Sequence, residues 1–360
     1  MRIVVKIGTQ SLLTDERTLD KAMVTNIVDQ IAALRSQGHA IVLVSSGAVG
    51  AGRGLWQERK QGRAFCAADR ILERQVLASV GQAHLIHTYD EALCAHGMHA
   101  AQLLMTRHDF RQRRHFVNVA RLLEELLQRP DILPIVNEND AVSVEELVFT
   151  DNDQLASLIA AQINADRLIM LTNVDGVYAP ADEGRTPQPL RIIDPAENWP
   201  RIGRQTSAGG RGGMFSKMEI ARKMARIGIT VQIARARDTE ILPRLIANTV
   251  GLGTRIVPHK KPAAKKRWLA VHLEEPRGAV TINDCLVETL HTTNKALSIL
   301  PVGITAISGT FEKGDIVEIR NETGERLGHG QARYGAESLR GHLGQARKPA
   351  FIHYDALHWA

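Results

Sequence analysis

The sequence has few cysteines, and they form no pattern. Among 360 residues only Cys66, Cys94 and Cys285 are cysteine. Their wide spacing contains no C-x-x-C pair and no even disulfide framework, which argues against a zinc ribbon or a disulfide-stapled secreted domain. We therefore expect free thiols in a reducing compartment.

Long hydrophobic runs are also missing. The longest uncharged stretch of the C-terminal part, residues 296–311, is interrupted by Pro301, Gly303 and Gly309. It is shorter than the ~20 apolar residues that a membrane-spanning helix needs. The first residues, MRIVVKIG, read as a strand, and no apolar segment with a small-residue cleavage site follows them. We expect a cytoplasmic protein with no membrane partner.

Charge of either sign is moderate, and its distribution suggests a domain boundary. Lys and Arg number 45 against 39 Asp and Glu, a net charge of +6. Residues 258–267, PHKKPAAKKR, hold five basic side chains and no acidic one, whereas residues 268–360 carry 9 basic and 11 acidic groups, or −2. Prolines, alanines and like charges are typical of a linker. We interpret residues 258–267 as a basic linker between domains of residues 1–257 and 268–360, with a nucleic-acid-binding arm as the alternative.

Apolar runs alternate with amphipathic segments through the first domain. The runs are residues 3–5, 40–44, 132–136, 167–171 and 230–233, and the amphipathic segments are 23–34, 71–93, 119–127, 155–163 and 218–227. Strands that are apolar on both faces and separated by helices are typical of a parallel sheet covered on each side. The pattern predicts an α/β fold with three layers.

The last 93 residues differ from the first domain. Short β-rich segments, RWLAVHL, GAVTIN, GITAISGTF, GDIVEIRN and ERLGHGQARY, are separated by turn residues, with short helices at 284–290 and 336–343. We predict a small, mostly β, barrel-like domain.

The common nucleotide-binding fingerprints are absent. The chain has no G-x-x-x-x-G-K-[S/T], and no clean G-x-G-x-x-G follows a strand. Polar or glycine-rich turns instead follow the predicted strands, at the edge where ligands of parallel sheets gather. These turns contain Lys6, Gly8, Thr9, Ser45, Ser46, Gly47, Ala48, Gly50, Gly52, Asn137, Glu138, Asn139, Asp140, Thr172, Asn173, Asp175 and Gly176. Asp151-Asn152-Asp153 opens a helix, and residues 209–213, GGRGG, precede another with Lys217 in its first turns.

Singly, each of these features is more often an ordinary turn, a solvated charge or a helix cap. Together, glycine backbone, helix N-termini and two lysines suit phosphate groups. No histidine lies in these turns, and the histidine spacing predicts no metal site. A hydroxyl acceptor usually needs a base, whereas a carboxylate is already ionised at neutral pH. The residues therefore fit phosphoryl transfer to a carboxylate, with lysines and a metal shielding the transferring group.

Eight segments occur in an order that resembles a known family. They are VVKIGTQSL, VLVSSGAVGAGR, SVGQAHLI, LLMTR, PIVNENDAV, TDNDQLAS, LTNVDGVY and GGRGGMFSKMEIA, and KKRW follows at the start of the β domain. They resemble the amino-acid-kinase superfamily, and within it the glutamate 5-kinases that carry a C-terminal PUA domain, over nearly the whole chain. The resemblance implies phosphorylation of the side-chain carboxylate of L-glutamate by ATP with Mg²⁺, the first step of proline biosynthesis, with proline as an inhibitor.

The resemblance also implies residue roles. Lys6 and Lys217 are expected to stabilise the transferring phosphoryl group, with Asp153 holding both lysines. The expected glutamate-binding residues are Ser46, Asp140 and Asn152, with Asn137 and Asp151 as neighbours. The expected ATP-binding residues are Lys6, Thr172, Asn173, Arg211, Gly212, Gly213, Met214, Phe215, Ser216 and Lys217. Mg²⁺ is expected on the ATP phosphates, with no dedicated protein ligands.

The chain departs from the family pattern at Asn173, Arg211 and Phe215, which puts its nucleotide affinity in question. One rival function is an amino-acid kinase with another acceptor, and a second is RNA binding by the PUA-like domain. Because aromatic residues are only 4% and residues 268–360 are acidic, we expect no sequence-specific RNA binding. Residues 53–74 carry six basic and three acidic groups, which fits a solvated helix face or steering of anions. By resemblance we expect a homo-oligomer, either a dimer or a tetramer.

Overall fold

The chain forms two compact units. The computed structural model describes residues 1–60, 65–67, 69–111, 113–142, 151–178, 188–197, 199–200, 213–258, 276–292 and 297–359. The larger unit covers Met1–Phe110 and His115–Lys261, and the smaller covers Pro262–Ala360 with Arg111–Arg114. The predicted domain limits at 257, 258–267 and 268 stay a prediction, since residues 259–275 lie outside the described part.

A mainly parallel sheet forms the centre of the larger unit. Its strands and those of a small hairpin are β1 (Arg2–Ile7), β2 (Ala40–Ser45), β3 (His99–Met105), β4 (Ile132–Glu138), β5 (Arg167–Thr172), β6 (Val177–Tyr178), β7 (Pro189–Leu190), β8 (Ile192–Ile193), β9 (Thr230–Arg235) and β10 (Thr254–Ile256). Among described residues the sheet has eight strands in the order β3-β4-β2-β1-β5-β9-β10-β8. Only the β9–β10 pairing in it is antiparallel. The short strands β6 and β7 pair separately.

Helices connect and cover these strands. They are α1 (Thr9–Leu12), α2 (Lys21–Ser36), α3 (Ala48–Arg59), α4 (Arg70–Cys94), α5 (Arg107–Arg111), α6 (Arg113–Gln128), α7 (Asn152–Gln162), α8 (Met214–Arg226) and α9 (Ile241–Ile246). Each central strand is buried along nearly its whole length, and one large core packs strand side chains against α2, α4 and α9. Burial on both faces accounts for the nearly continuous apolar runs of the sequence. None of the described helices combines the length and apolar character needed to cross a membrane.

The smaller unit has its own sheet and core. It contains β11 (Gly278–Ile282), α10 (Asp284–Thr292), β12 (Ile304–Gly309), β13 (Ile316–Arg320), β14 (Arg326–Gln331), α11 (Ala336–Arg340) and β15 (Leu357–Trp359). The described strands form a five-stranded sheet in the order β12-β11-β13-β14-β15, in which only β11 and β13 run parallel. Phe311 and Phe351 meet in its core with ring centroids 5.7 Å apart.

The fold class predicted from sequence is confirmed, although the structure differs from the prediction locally. In the large sheet, β3, β8 and β10 were not predicted. Strand β3 lies at the sheet edge, where three of its seven residues are exposed, and β8 and β10 are only two and three residues long. Gly50 and Gly52, interpreted as part of an anion-binding turn, lie inside helix α3 instead. A Cβ on Gly52 would approach the carbonyl oxygen of Leu77 in α4 to 1.9 Å, so this glycine permits a close helix crossing. The segment RWLAVHL lies outside the described residues.

Candidate active site

The strand-end turns of the larger unit surround one cleft. Its volume is about 1270 Å³, and it lies at the carboxyl ends of β1, β2, β4 and β5 and at the start of α7. Parallel sheets place ligand sites at this edge because the strand-end loops meet there. The predicted site residues that line the cleft are Lys6, Ser46, Asp140, Asp151, Asn152, Asp153, Thr172, Asn173 and Lys217, whereas the predicted neighbour Asn137 does not line it.

The centre of the cleft is a cluster of two lysines and one aspartate. Lys6 Nζ lies 2.6 Å from Oδ1 of Asp153, and Lys217 Nζ lies 2.7 Å from Oδ2. The side chain of Asp153 is only 1% exposed, and those of Lys6 and Lys217 are 7% and 12% exposed. Each carboxylate oxygen thus holds one ammonium group, and the cluster carries a net charge of +1.

Burial and the lysines act on Asp153 in opposite directions. Loss of hydration disfavours the charged carboxylate and alone would raise the pKa of Asp153. The ammonium groups of Lys6 and Lys217 outweigh burial and lower this pKa to about 2. Asp153 therefore stays ionised at every physiological pH and keeps both lysines in place.

Asn152, at the start of α7, connects the ends of β2 and β4. Its Nδ2 donates to Ser46 Oγ at 2.8 Å and to Asn137 Oδ1 at 3.0 Å. Its buried Oδ1 has no hydrogen-bond partner among the described residues. Gly47, which follows Ser46, has φ 103°, and this left-handed conformation turns the chain from β2 directly into α3. The site therefore presents a buried acceptor beside a hydroxyl group.

Asp151 joins the two helices that carry the cluster. One of its oxygens caps α7 by accepting from the backbone N–H of Gln154 at 3.0 Å, and the other accepts from Ser216 Oγ at 2.8 Å. Ser216 lies in the first turn of α8, next to Lys217. This contact holds the start of α8 against the start of α7.

Asp140 lies after β4 and forms an ion pair that the sequence did not suggest. Arg74 Nη2 of helix α4 donates to Asp140 Oδ1 at 2.9 Å, and both side chains line the cleft. Burial raises the pKa of Asp140, and Arg74 lowers it only in part.

The expected nucleotide-binding residues are partly described. Thr172 Oγ1 donates to Asn173 Oδ1 at 3.2 Å just after β5. Gly213 immediately precedes α8, and Met214, Phe215 and Ser216 open it. The remaining predicted residues, Arg211 and Gly212, lie outside the described residues.

The carboxylates of the cleft offer little to a bare metal ion. Among described residues no group of three His, Cys, Asp or Glu side chains is placed to hold one. Both oxygens of Asp153 are already engaged by lysines. Binding of Mg²⁺ through the ATP phosphates therefore stays a prediction, which is compatible with few protein ligands.

Sequence reasoning missed two contacts that helix α4 makes at the strand ends. Arg74 lies in the basic segment 53–74. An excess of positive charge alone does not show which basic side chain faces a cleft. Tyr89 is fully buried, and its hydroxyl lies 3.0 Å from Ser45 Oγ, which in turn donates to the carbonyl oxygen of Ser46. Burial raises the pKa of Tyr89. An apolar helix pattern gives no signal for either contact.

A parallel sheet that gathers two lysines on one buried aspartate at its carboxyl edge has the charge arrangement that a phosphotransferase needs. Comparison with known proteins agrees. Residues 1–235 match the model of the amino acid kinase family, and residues 278–349 match the PUA domain.

Relatives are similar along their whole length. The glutamate 5-kinase of Chlorobaculum tepidum is 42% identical, over 99% of this chain and 97% of its own length. The glutamate 5-kinase of Bacteroides thetaiotaomicron is 39% identical, over 99% of this chain and 98% of its own length. A solved carbamate kinase from Giardia lamblia bound to AMP-PNP is 17% identical, covers 72% of this chain and 98% of its own, and has a TM-score of 0.50, which shows the shared fold. The chain belongs to the amino acid kinase family and, within it, to the glutamate 5-kinase family.

Proposed function

We propose that this protein transfers the terminal phosphoryl group of ATP to the side-chain carboxylate of L-glutamate, which yields glutamyl 5-phosphate for proline biosynthesis. The observation that carries the proposal is the pair of lysines held on Asp153. The full-length glutamate 5-kinase relatives supply the identity of the acceptor.

The cluster suits a reaction between two anions. A carboxylate acceptor repels the ATP phosphates, and fixed positive charge in a water-poor site reduces that repulsion most where charge spreads in the transition state. Lys6 and Lys217 supply this charge, and Asp153 fixes their ammonium groups. Mg²⁺, bound through ATP, would neutralise phosphate charge. The acceptor carboxylate is ionised at neutral pH, so the site needs no general base.

The glutamate site proposed here uses Ser46, Asp140 and Asn152. Asp140 supplies a counter-charge for the substrate ammonium group. The buried Oδ1 of Asn152 lacks a donor among the described residues, and a buried acceptor without a partner is costly. An ammonium or hydroxyl donor at this point would satisfy it. Asn137, which accepts from Asn152, acts as a positioning neighbour.

The nucleotide site proposed here lies on the other side of the cluster. Thr172 ends β5 and Asn173 follows it, while Gly213 caps helix α8 and Met214 to Lys217 open it. A helix N-terminus directs backbone N–H groups and positive dipole towards phosphate oxygens. Arg211 and Gly212 belong to the same proposal on the resemblance alone. Inhibition by proline, a homo-oligomeric state and a cytoplasmic location also remain parts of the proposal.

The test is acyl-phosphate formation, trapped as the hydroxamate, with ATP and Mg²⁺. L-Glutamate should react, and L-aspartate, one methylene shorter, should react roughly 10- to 200-fold more slowly. N-Acetyl-L-glutamate and carbamate should give no product. L-Proline should lower the glutamate rate, with D-proline as the control. Turnover of carbamate, acetylglutamate or aspartate in preference to glutamate would reassign the acceptor.

A further inference from the structure

Two oppositely charged side chains face the same cleft from different elements. Arg74 lies in the second turn of α4, and Asp140 lies two residues after β4. Their 2.9 Å contact leaves the guanidinium 33% and the carboxylate 15% exposed. Ion pairs at such exposure add only about 0–1 kcal/mol to stability, so holding the fold together does not explain why the pair lines a cleft.

Both members keep hydrogen-bonding capacity. A guanidinium group has five N–H donors, and the structure shows one of Arg74 in use, on Asp140 Oδ1. Among the residues that the structure describes, Oδ2 of Asp140 has no partner. The pair can therefore accept a donor at Asp140 and give donors at Arg74 without breaking its own contact.

Other charged pairs near the cleft lack this property. Asp20 also lines the cleft, but its Oδ2 accepts from Arg237 at 2.9 Å and its Oδ1 caps α2 through the N–H of Met23. Both of its oxygens are engaged. Arg53 lines the cleft as well, yet its carboxylate partner, Glu73 at 2.9 Å, does not.

A pair of fixed opposite charges complements a zwitterion. An α-amino acid carries an ammonium and a carboxylate on one carbon, and a guanidinium group binds carboxylates in a planar, two-point geometry. We propose that Arg74 is a specificity-determining residue that binds the α-carboxylate of the substrate and holds Asp140 in position for its α-ammonium group. This inference rests on the proposed function, because it concerns the non-reacting end of the same acceptor.

The proposal is tested with substrates that lack one charge each. 4-Aminobutanoate lacks the α-carboxylate, and glutarate lacks the ammonium group, while both keep the reacting carboxylate. For Arg74→Met we expect kcat/KM to fall roughly 10- to 100-fold with glutamate and glutarate, and much less with 4-aminobutanoate. For Asp140→Asn we expect kcat/KM to fall with glutamate and 4-aminobutanoate, which carry an ammonium group, and to fall much less with glutarate, which does not.

Further readouts separate substrate binding from a structural effect. With Arg74→Met the loss should appear in KM for glutamate, and kcat should stay within a few-fold, since the reacting carboxylate is at the other end. Arg74→Lys, which keeps the charge, should recover part of KM. If an analogue turns over too slowly, its inhibition constant against glutamate replaces kcat/KM. Arg53→Met is the matched control. It should change kcat/KM for glutamate, glutarate and 4-aminobutanoate by the same factor.

An equal loss for glutamate, glutarate and 4-aminobutanoate in Arg74→Met would overturn the inference and leave the glutamate kinase activity standing. If the wild-type protein forms no hydroxamate from glutamate but does so from another acceptor, the proposed function fails first. The two failures are therefore distinguishable.

Discussion

At the scale of single residues, Asp153 decides whether the cluster can exist. Two ammonium groups buried without a counter-charge would repel each other and lose hydration. One carboxylate, with each oxygen on a different lysine, removes both problems. Asp153 therefore affects both the stability of the fold and the position of the two lysines in the proposed site.

Asp153→Asn is expected to lower the free energy of unfolding by about 3–5 kcal/mol at pH 7, because it leaves two buried lysines without their partner. Loss of the carboxylate should also change how the free energy of unfolding depends on pH. Since the ordinary aspartate pKa is 3.8 and that of Asp153 is about 2, the ionised carboxylate contributes stability above about pH 4 that is lost as the pH falls towards 2. This contribution is about 2 kcal/mol.

Urea unfolding followed by circular dichroism at several pH values between 2 and 7 would measure both effects. The variant should show a flatter curve than the wild-type protein below pH 4. Parallel curves for the two proteins in this range would contradict the lowered pKa.

Lys6→Met and Lys217→Met are each expected to reduce kcat for hydroxamate formation by at least about 100-fold, as removal of one transition-state donor does in other enzymes. Lys223→Met is the control for Lys217, because Lys223 lies on the same helix in its last turn. It should keep kcat within a few-fold. Full activity in either cluster variant would remove that lysine from the mechanism.

At the scale of elements, the crossing of α3 and α4 shapes one wall of the cleft. Helix α3 begins beside Ser46, and α4 carries Arg74. Gly52 and Gly81 meet where these helices cross, and a Cβ on Gly81 would lie 1.9 Å from the carbonyl oxygen of Ala48. Backbone cannot move aside as a side chain can, so the crossing requires glycine at both positions.

Gly52→Ala and Gly81→Ala are therefore each expected to destabilise the protein by more than the roughly 1–3 kcal/mol of ordinary overpacking. Gly50→Ala is a control in the same helix, because the nearest atoms to its Cβ would belong to the side chain of Leu13, which can rotate. Thermal unfolding midpoints should fall much further for the first two variants than for the third. Equal unfolding midpoints for the three variants would contradict this expectation, because they would show that α3 and α4 can move apart at little cost.

The same helix pair shows how far sequence patterns reach. Buried runs such as 167–171 identify the central strands, because burial on both faces leaves no other pattern. Gly50 and Gly52 look like turn residues, since the partner that makes glycine necessary lies in another helix. Arg74 was overlooked for a related reason: only the fold shows that it meets Asp140, 66 positions further along the chain.

At the scale of the whole molecule, the proposed site lies in one of the two units. Every described member of the proposed site belongs to residues 1–261, which have a separate core, and the PUA unit has another. A chain that ends at Lys261 is therefore expected to fold and to keep glutamate-dependent hydroxamate formation within about tenfold. Its circular dichroism and kcat, measured beside the full chain with and without L-proline, check this. A folded but inactive product would show that residues 262–360 support catalysis.

The family and the site motifs were also readable from sequence, since eight segments occur in a specific order. Their grouping in space follows from the parallel topology, which brings strand ends to one edge. What sequence cannot provide is the contact between particular side chains, such as the sharing of Asp153 between two lysines.

That sharing has a consequence for how the protein is made. Lys6 lies on β1, Asp153 on α7 and Lys217 on α8. On the ribosome, domains fold as the chain emerges from its N-terminus. A nascent chain that has released α7 but not α8 would bury Asp153 against one lysine alone. We therefore expect catalytic competence to be among the last properties that the growing larger unit acquires, after most of its sheet has formed.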